Sequence, residues 1–395
     1  MHPVMALNLL SLGYLGVAAW QVGKLRQKTR VRSTPKTWQP PVTVFKPVCG
    51  LSAKLDDNLR SFCSQDYPDF QILFGVQDPF DPAIEVIRGI IREFPRLDLK
   101  LVIDQRLHGS NYKVSNLMNL FTAASHDIFV ISDDDVCVSP NYLSNVVAPF
   151  ADPVTGAVTC LYSSRPEGGG IASSLNAMFI NEWFMPSLLI SSAVRETRFC
   201  LGATMAVRRE TLDRIGGFEV LADHLADDYL LGKKVSGVGC RVTLLPHLVQ
   251  HVICESGLKA MLLHELRWAR TMRNVEPLGY ACTFITDTLM VSILTGGLDM
   301  LLTGERLQPA VVIACTLLAR LLYHEHVMSV LRLPDMGSRW LVPFRDLLSL
   351  LIRILGITGN RVEWKDRAFA MDKAGRLHVL THARQARPPL AEAAE

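Results

Sequence analysis

The chain has 395 residues, a formal net charge of +3, 49% hydrophobic residues and a mean hydropathy of +0.21. This hydropathy is high for a soluble enzyme and low for a polytopic transporter, which indicates one large domain attached to membrane segments. A charge so near neutrality, without a basic-aromatic motif, argues against a nucleic-acid partner. The nine cysteines include no CxxC pair, so neither a zinc site nor a disulfide framework is predicted.

Residues 1–23 predict an N-terminal transmembrane anchor. The stretch 3–22 is nearly uncharged, and about 20 apolar residues suffice to span a bilayer. A basic linker follows over residues 24–41, with six lysines and arginines and no acid before Thr37. The positive-inside rule therefore places the N-terminus outside and the following domain in the cytoplasm. A cleaved signal peptide fits poorly, because the charges follow the apolar run.

Residues 42–256 alternate between strand and helix patterns. Strands are predicted at 42–46, 70–76, 99–103, 128–131 and 154–162, and helices at 54–64, 82–93 and 114–124. This alternation predicts a doubly wound, mostly parallel α/β sheet. The first strand-to-helix turn carries neither GxGxxG nor GxxxxGKS, which argues against a dinucleotide enzyme and a P-loop ATPase. The apolar stretch 175–194 fits an interfacial helix and a core helix equally well.

Three adjacent carboxylates, Asp133, Asp134 and Asp135, follow the apolar strand 128–131 after a single serine. At the end of a parallel strand they would lie at the sheet edge where open α/β folds bind ligands. Asp133 and Asp135 would point the same way and form a hard-oxygen site for Mg²⁺ or Mn²⁺, completed by a nucleotide diphosphate. The structural alternative is a solvated acidic turn.

Two further polar groups follow other predicted strands. Asp78, after the second strand, would hydrogen-bond a uracil or a ribose, whereas Asp81 is better explained as a helix cap. Lys113 and Asn116 are predicted on the first turn of a helix, a place that attracts phosphate. For these two residues the alternative is a solvated helix start.

A second acidic pair opens the helix that begins near residue 227. Asp227 is interpreted as its N-cap or as an acid favoured by the helix dipole. Asp228 is then free to act as a general base, provided that burial or a nearby carboxylate raises its pKa toward neutrality.

Residues 257–277 predict an amphipathic interfacial helix. His264, Arg267 and Trp268 share one side of it by their spacing. Arg267 would neutralise a diphosphate leaving group and Trp268 would flank a sugar or a lipid. A membrane-hugging helix with snorkelling arginines is the alternative, and both readings are compatible.

The last part of the chain predicts membrane segments over 278–359. Two spans are expected at 278–303 and 309–331, with an interfacial or re-entrant helix at 341–359. Basic residues on both sides of that helix favour cytoplasmic ends. A short cytoplasmic segment, 360–384, and a disordered tail, 385–395, are expected to follow.

The order of five motifs resembles a known family. They are QD at 77–78, DDD at 133–135, CLGATMA from 200, ADDY at 226–229 and HELRW at 264–268. Together they resemble the family 2 and family 21 glycosyltransferases of GT-A fold, of the type of ceramide glucosyltransferase and the bacterial hopanoid-biosynthesis glycosyltransferase. The resemblance covers nearly the whole chain.

The resemblance implies a role for individual residues. Asp78 matches the acid that contacts the nucleotide, and Asp133 and Asp135 match the metal and diphosphate acids. Asp228 matches the catalytic base. Arg267 and Trp268 match the end of the Q/R-x-x-R-W motif, in which His264 replaces the usual first residue and is interpreted as a contact to the diphosphate or to the acceptor.

The implied activity is inverting transfer of a hexose, glucose or N-acetylglucosamine, from a UDP-sugar to a hydroxyl of a membrane lipid, with Mg²⁺ or Mn²⁺. The acceptor is expected to be ceramide or, alternatively, bacteriohopanetetrol. The protein is expected to be an integral membrane protein, located in the inner membrane if its source is a bacterium, with its catalytic domain in the cytoplasm. The rival hypotheses are a polysaccharide synthase and an inactive membrane scaffold that only binds nucleotide-sugar.

Overall fold

The computed structural model describes residues 3–28, 38–168, 170–333, 338–364 and 367–381. The strands are β1 (Val42–Pro47), β2 (Phe70–Val76), β3 (Asp98–Ile103), β4 (Ile128–Ile131), β5 (Val136–Cys137), β6 (Thr155–Pro166), β7 (Met205–Arg208), β8 (Arg241–Ile253), β9 (Arg361–Trp364), β10 (Arg367–Met371) and β11 (Leu377–Thr381). The helices are α1 (Pro3–Lys28), α2 (Leu55–Cys63), α3 (Ala83–Glu93), α4 (Tyr112–Phe121), α5 (Tyr142–Val147), α6 (Ile171–Phe179), α7 (Met185–Val194), α8 (Arg209–Ile215), α9 (Asp227–Gly237), α10 (Leu258–Val275), α11 (Pro277–Cys282), α12 (Thr288–Thr303), α13 (Leu307–Leu331) and α14 (Val342–Ile357).

The first eight strands form one sheet in the order β3-β2-β1-β4-β7-β6-β8-β5. The strands from β3 to β4 are parallel, and β7 is antiparallel to both of its neighbours. All seven residues of β2 are buried, as expected for a strand with helices on both faces. The predicted doubly wound, mostly parallel sheet is confirmed.

The order of the strands fixes where a ligand site would lie. From β1 the chain adds β2 and β3 on one side, and it then returns to place β4 on the other side of β1. The strand order therefore reverses between β1 and β4, which is the switch point where open α/β sheets bind ligands. The acidic triplet follows β4 and lies at this switch point.

Three helical stretches among the described residues are long and apolar enough to cross a membrane. They are Ala6–Arg26, Ile171–Val194 and Leu307–Leu331, and a bent helix pair would add a fourth. The predicted anchor matches the first of them, although α1 continues through Lys28 as one helix. Lys24 and Arg26 therefore belong to the helix and not to the linker, and Arg26 donates a hydrogen bond to the Ser329 carbonyl of α13.

The expected span 278–303 is not one helix. The helical segments Pro277–Thr286 and Thr288–Thr303 meet at 70°. The break lies at Asp287, which is buried and accepts two hydrogen bonds from Arg353 of α14, at 2.5 and 2.7 Å. A buried carboxylate needs a cationic partner, and the pairing of Asp287 with Arg353 is found at the bend.

The apolar stretch 175–194 lies in a longer helical segment, α6–α7, interrupted by a π-helical turn at Ile180–Phe184. Its first half belongs to the core beside the sheet, where Phe179 and Trp183 stack 5.1 Å apart. Its second half packs on α1 and α13. The segment thus joins the α/β domain to the candidate membrane-spanning helices α1 and α13.

The last three strands, β9, β10 and β11, form a small antiparallel sheet in the order β11-β10-β9. This region was expected to be only a short cytoplasmic segment, and its apolar side instead covers part of the α/β domain. The predicted tail 385–395 and linker residues 29–37 lie outside the described residues.

Candidate active site

Asp133 is held by two lysines from other elements. Lys113, on the first turn of α4, places its Nζ 2.5 Å from the Asp133 carboxylate and 3.9 Å from that of Asp227. Burial would lower the pKa of Lys113, but Asp133 and Asp227 outweigh burial and raise that pKa well above its ordinary value. Lys113 is therefore a fixed positive charge inside an acidic cleft.

The second lysine, Lys46, was not identified as a site residue from the sequence. It is fully buried at the end of β1, its Nζ donates to the Asp133 carbonyl, and the ammonium lies 3.9 Å from the centre of the Phe62 ring. Burial lowers the pKa of Lys46 to about 8, against the opposing effect of the three acids. A lysine within the strand sequence VTVFKP was the available signal, because buried lysines need a partner.

The other two acids of the triplet have different surroundings. Asp134 is buried and accepts a hydrogen bond from the Cys49 backbone N–H at 3.3 Å, while its carbonyl accepts one from Asn58. Asp135 lies 3.2 Å from His251 Nε2. Burial would lower the pKa of His251, but Asp135 outweighs it and raises that pKa.

Asp227 and Asp228 both begin α9, and the residue at the N-cap is Ala226. The interpretation of Asp227 as the N-cap is therefore wrong by one position, because the helix starts at Asp227 itself. Asp228 accepts hydrogen bonds from the backbone N–H groups of Gly202, at 2.9 Å, and Tyr229, at 2.7 Å. Burial raises the pKa of both acids, to about 6 for Asp227, against the lowering effect of Lys113.

Gly202 is the point on which these groups converge. A Cβ at this position would lie 3.2 Å from Asp133 Oδ2, 3.5 Å from Asp228 Oδ2 and 3.5 Å from Lys113 Nζ. The glycine of the CLGATMA motif thus keeps open a space lined by two carboxylates and one ammonium, which come from three different elements.

Helix α10 brings Arg267 and Trp268 toward the same region. Burial lowers the pKa of Arg267 to about 10, while Asp133 and Asp228 act in the opposite direction from nearby. The Trp268 ring packs against Phe184 at 5.3 Å and His264 at 5.6 Å. Arg267 therefore belongs to the charged cleft, and Trp268 stands at its apolar border.

His264 is paired within the protein. Its Nδ1 lies 2.9 Å from Glu255 Oε1, which also accepts a hydrogen bond from Asn176 at 2.8 Å. Burial and Arg267 lower the pKa of His264, against the raising effect of the Glu255 hydrogen bond. The role of His264 toward a diphosphate or an acceptor stays a prediction.

Two predicted residues lie apart from this convergence. Asp78 is exposed after β2, and its Oδ1 accepts a hydrogen bond from the Phe80 N–H at 2.9 Å. Asn116 is on the second turn of α4, is buried, and donates to the Gly75 carbonyl of β2 at 2.8 Å. The structure thus directs the amide of Asn116 onto the sheet and not into the cleft. Because α4 begins at Tyr112, Asn116 is also one turn removed from the N-terminus of the helix.

The acids fit a divalent cation that is shared with a ligand. The side chains of Asp133 and Asp135 are 33% and 36% exposed, in the short connection between β4 and β5 and not on one extended strand as predicted. Across the described ranges, no three histidine, cysteine or acidic side chains converge on one point. Mg²⁺ is commonly held by one or two carboxylates together with substrate phosphates, so these residues suit a site completed by a diphosphate.

The fold is shared with a solved glycosyltransferase. The mannosyltransferase PcManGT from Pyrobaculum calidifontis, in complex with GDP-Man and Mn²⁺, aligns with a TM-score of 0.53 and 19% identity, covering 90% of this chain and 97% of that one. At this identity the likeness shows the fold alone, and it identifies that fold as the GT-A fold of glycosyltransferases.

The sequence profile of glycosyl transferase family 21 matches residues 4–377. The chain therefore belongs to glycosyl transferase family 21. Ceramide glucosyltransferase 1 of Caenorhabditis elegans is 26% identical over 213 residues, which cover 54% of this chain and 46% of that protein. The ceramide glucosyltransferase of Candida albicans is 35% identical over 118 residues, 27% of this chain and 22% of the relative. The chain spans about half the length of these relatives or less.

Proposed function

We propose that the protein is an inverting glycosyltransferase that moves a hexose from a UDP-sugar to the hydroxyl of a membrane lipid, on the cytoplasmic side of the membrane. One observation carries the proposal: Asp133, Lys113 and Asp228 converge around Gly202 at the switch point of the sheet. Under this proposal, Asp133 would bind the donor diphosphate through a divalent cation, next to Asp228 as the candidate base.

Asp228 is proposed as the general base. Its two oxygens are oriented by backbone N–H groups, and burial raises its pKa above the ordinary carboxyl range. Such a shift brings a carboxylate closer to neutrality, where a base is most effective. Asp228 would take the proton of the lipid hydroxyl as the oxygen attacks the anomeric carbon from the face opposite UDP.

The cations are proposed to stabilise the leaving group. Arg267 and Lys113 carry positive charge in a partly buried cleft, where fixed charges stabilise the charge developing on the departing UDP more strongly than in water. A divalent cation, Mg²⁺ or Mn²⁺, held by Asp133 and Asp135 would supply further neutralisation of the diphosphate. Asp78 is proposed to contact the uridine.

A lipid acceptor is supported by the candidate membrane spans and by the names of the ceramide glucosyltransferase relatives. Trp268, between the charged cleft and the aromatic residues of α6–α7, is proposed to border the path of the lipid. Glucose and ceramide are the first pair to test.

The test is transfer by the purified full chain in lipid nanodiscs. Radiolabelled UDP-glucose and UDP-N-acetylglucosamine are each offered with ceramide and with bacteriohopanetetrol. A labelled, lipid-extractable product with inverted anomeric configuration supports the proposal and identifies the pair. A labelled polymer would favour a polysaccharide synthase, and UDP-sugar binding without any product would favour a scaffold.

A further inference from the structure

The C-terminal sheet, β9–β11, contacts the segment that leads into the proposed base. The Leu377 N–H donates to the Asp223 carbonyl at 2.7 Å, and the Leu225 N–H donates to the Gly375 carbonyl at 3.3 Å. His224 and Arg376 pair as an isolated antiparallel bridge between these bonds. The sheet therefore fixes the backbone three residues before Asp228.

The same sheet is also bonded to the helix that carries Arg267. Asn274 of α10 donates to the Asp372 carbonyl at 2.9 Å, and Arg270 donates to the Arg361 carbonyl. Arg273 donates to the Gly359 carbonyl at 2.7 Å. The sheet thus bridges the two elements that supply the proposed base and the proposed leaving-group cation.

Two arginines border the apolar cluster under this sheet. The cluster consists of Leu225, Val362, Phe369, Met371 and Leu377, packed against Tyr112 and Trp364. The Arg267 guanidinium carbon lies 6.0 Å from the centre of the Trp364 ring, and that of Arg367 lies 3.7 Å from the centre of the Tyr112 ring. Tyr112 immediately precedes Lys113, whose ammonium contacts Asp133.

Arg367 has an unused hydrogen-bond donor. Its Nη1 is buried from solvent, and in the part of the chain that the structure describes it has no hydrogen-bond partner. A buried guanidinium N–H without an acceptor is costly, so a shift of the Arg367 side chain that brings this N–H to a ligand acceptor is favourable. Phosphate oxygens match the planar fork of an arginine better than the atoms of a lipid chain do.

On the basis of the proposed function, we infer that the C-terminal sheet is part of the donor site and that Arg367 binds a phosphate of the nucleoside diphosphate. The stack on Tyr112 holds the guanidinium beside α4, and the unused N–H donates to a phosphate oxygen. Arg267 and Arg367 then approach the diphosphate from two different elements, with Lys113 between the sheet and the acids.

The experiment compares ligands that differ only in phosphate. The full chain in nanodiscs is titrated by calorimetry, with Mg²⁺ present, against uridine, UMP and UDP. Arg367→Gln is expected to weaken UDP binding at least tenfold and to change uridine binding less than twofold. Arg367→Lys, which keeps the charge but not the fork, is expected to fall between. Arg361→Gln is the matched control, because it removes an exposed arginine from the same sheet.

Two results would overturn the inference. One is wild-type UDP affinity in Arg367→Gln; the other is an equal loss for uridine and UDP with a lowered melting temperature, which would mean that Arg367 only holds the sheet. Titration of the wild type with GDP and ADP distinguishes a failure of the Arg367 inference from a failure of the proposed function. If the wild type prefers GDP, the UDP donor is wrong and the Arg367 comparison is made with GDP; if no nucleoside diphosphate binds, both proposals fail.

Discussion

Replacing Asp228 by asparagine tests the proposed base, and the structure indicates that this substitution does two things. Both carboxylate oxygens accept backbone hydrogen bonds, from Gly202 and from Tyr229. Asparagine offers one oxygen and one NH₂ group, so one of these backbone donors would face another donor. The variant therefore removes the base and also breaks a buried hydrogen bond.

The two effects differ in size and in readout. Loss of a general base lowers turnover by about 10²- to 10⁴-fold. An unsatisfied buried N–H costs about 1–3 kcal/mol of stability, which the removal of a buried negative charge partly offsets. We expect Asp228→Asn to lose at least a hundredfold in transfer and to unfold at a slightly lower temperature, with UDP-sugar affinity changed less than threefold.

The assay is labelled transfer to lipid, accompanied by donor calorimetry and thermal unfolding. Asp213→Asn, an exposed acid on α8, is the control for the chemical change itself. The wild-type rate should fall as the pH drops through the pKa of Asp228, which burial raises above its ordinary value. Turnover within threefold of wild type in Asp228→Asn would refute its assignment as the base.

Three further substitutions test the structure around the site. Folding raises the pKa of Asp227 from 3.8 to about 6. The stability that this group contributes is therefore present below pH about 4, and about 3 kcal/mol of the free energy of unfolding is lost as the pH rises through 6. Asp227→Asn should flatten this part of the plot of unfolding free energy against pH. Glu265 and Arg345 form a buried two-bond pair at 2.7 and 2.8 Å, so Glu265→Gln should cost about 3–5 kcal/mol in thermal unfolding. Asn116→Ala should cost about 1–3 kcal/mol through the lost bond to Gly75, with the donor KM unchanged.

Each of these has a matched comparison. Arg88→Ala breaks the exposed Arg88–Glu85 pair, at 2.6 Å, and should lower the free energy of unfolding by no more than about 1 kcal/mol. An equally small loss in Glu265→Gln would contradict the argument that burial of the Glu265–Arg345 pair makes its disruption costly. A tenfold rise of the donor KM in Asn116→Ala would restore Asn116 as a phosphate contact. If the free energies of unfolding of the wild type and Asp227→Asn change in parallel between pH 4 and 7, folding does not raise the pKa of Asp227.

The sequence alone predicted the strands that place the candidate site. Residues 128–131 are a continuous apolar run because β4 is covered on both faces, and this pattern is local. The acids that follow therefore had to emerge at the end of a buried strand. The membrane anchor was equally predictable, since length and hydropathy are properties of one segment.

Other features depended on the direction of side chains. Asn116 and Lys113 are three positions apart on α4, yet one bonds to the sheet and the other reaches the acids. The partners that the two side chains meet decide this, namely the Gly75 carbonyl of β2 and the Asp133 carboxylate. The sequence also placed the start of the helix two residues too late, at 114 instead of Tyr112. Likewise, Asp287 lies in an apolar stretch whose sequence predicts one membrane span. The structure bends the helix at Asp287, where the carboxylate accepts a hydrogen bond from Arg353 of α14.

By itself, the sequence determined the doubly wound sheet, the acidic strand end at residues 133–135 and the order of motifs that marks the family. Only the tertiary structure decided what surrounds those acids. Lys46 contacts Asp133 across 87 residues of sequence and His251 contacts Asp135 across 116. The C-terminal sheet returns from the membrane helices to cover the segment before Asp228. These contacts are made by elements distant in the chain, and hydrophobic periodicity specifies which face of each element is buried but not which partner it meets.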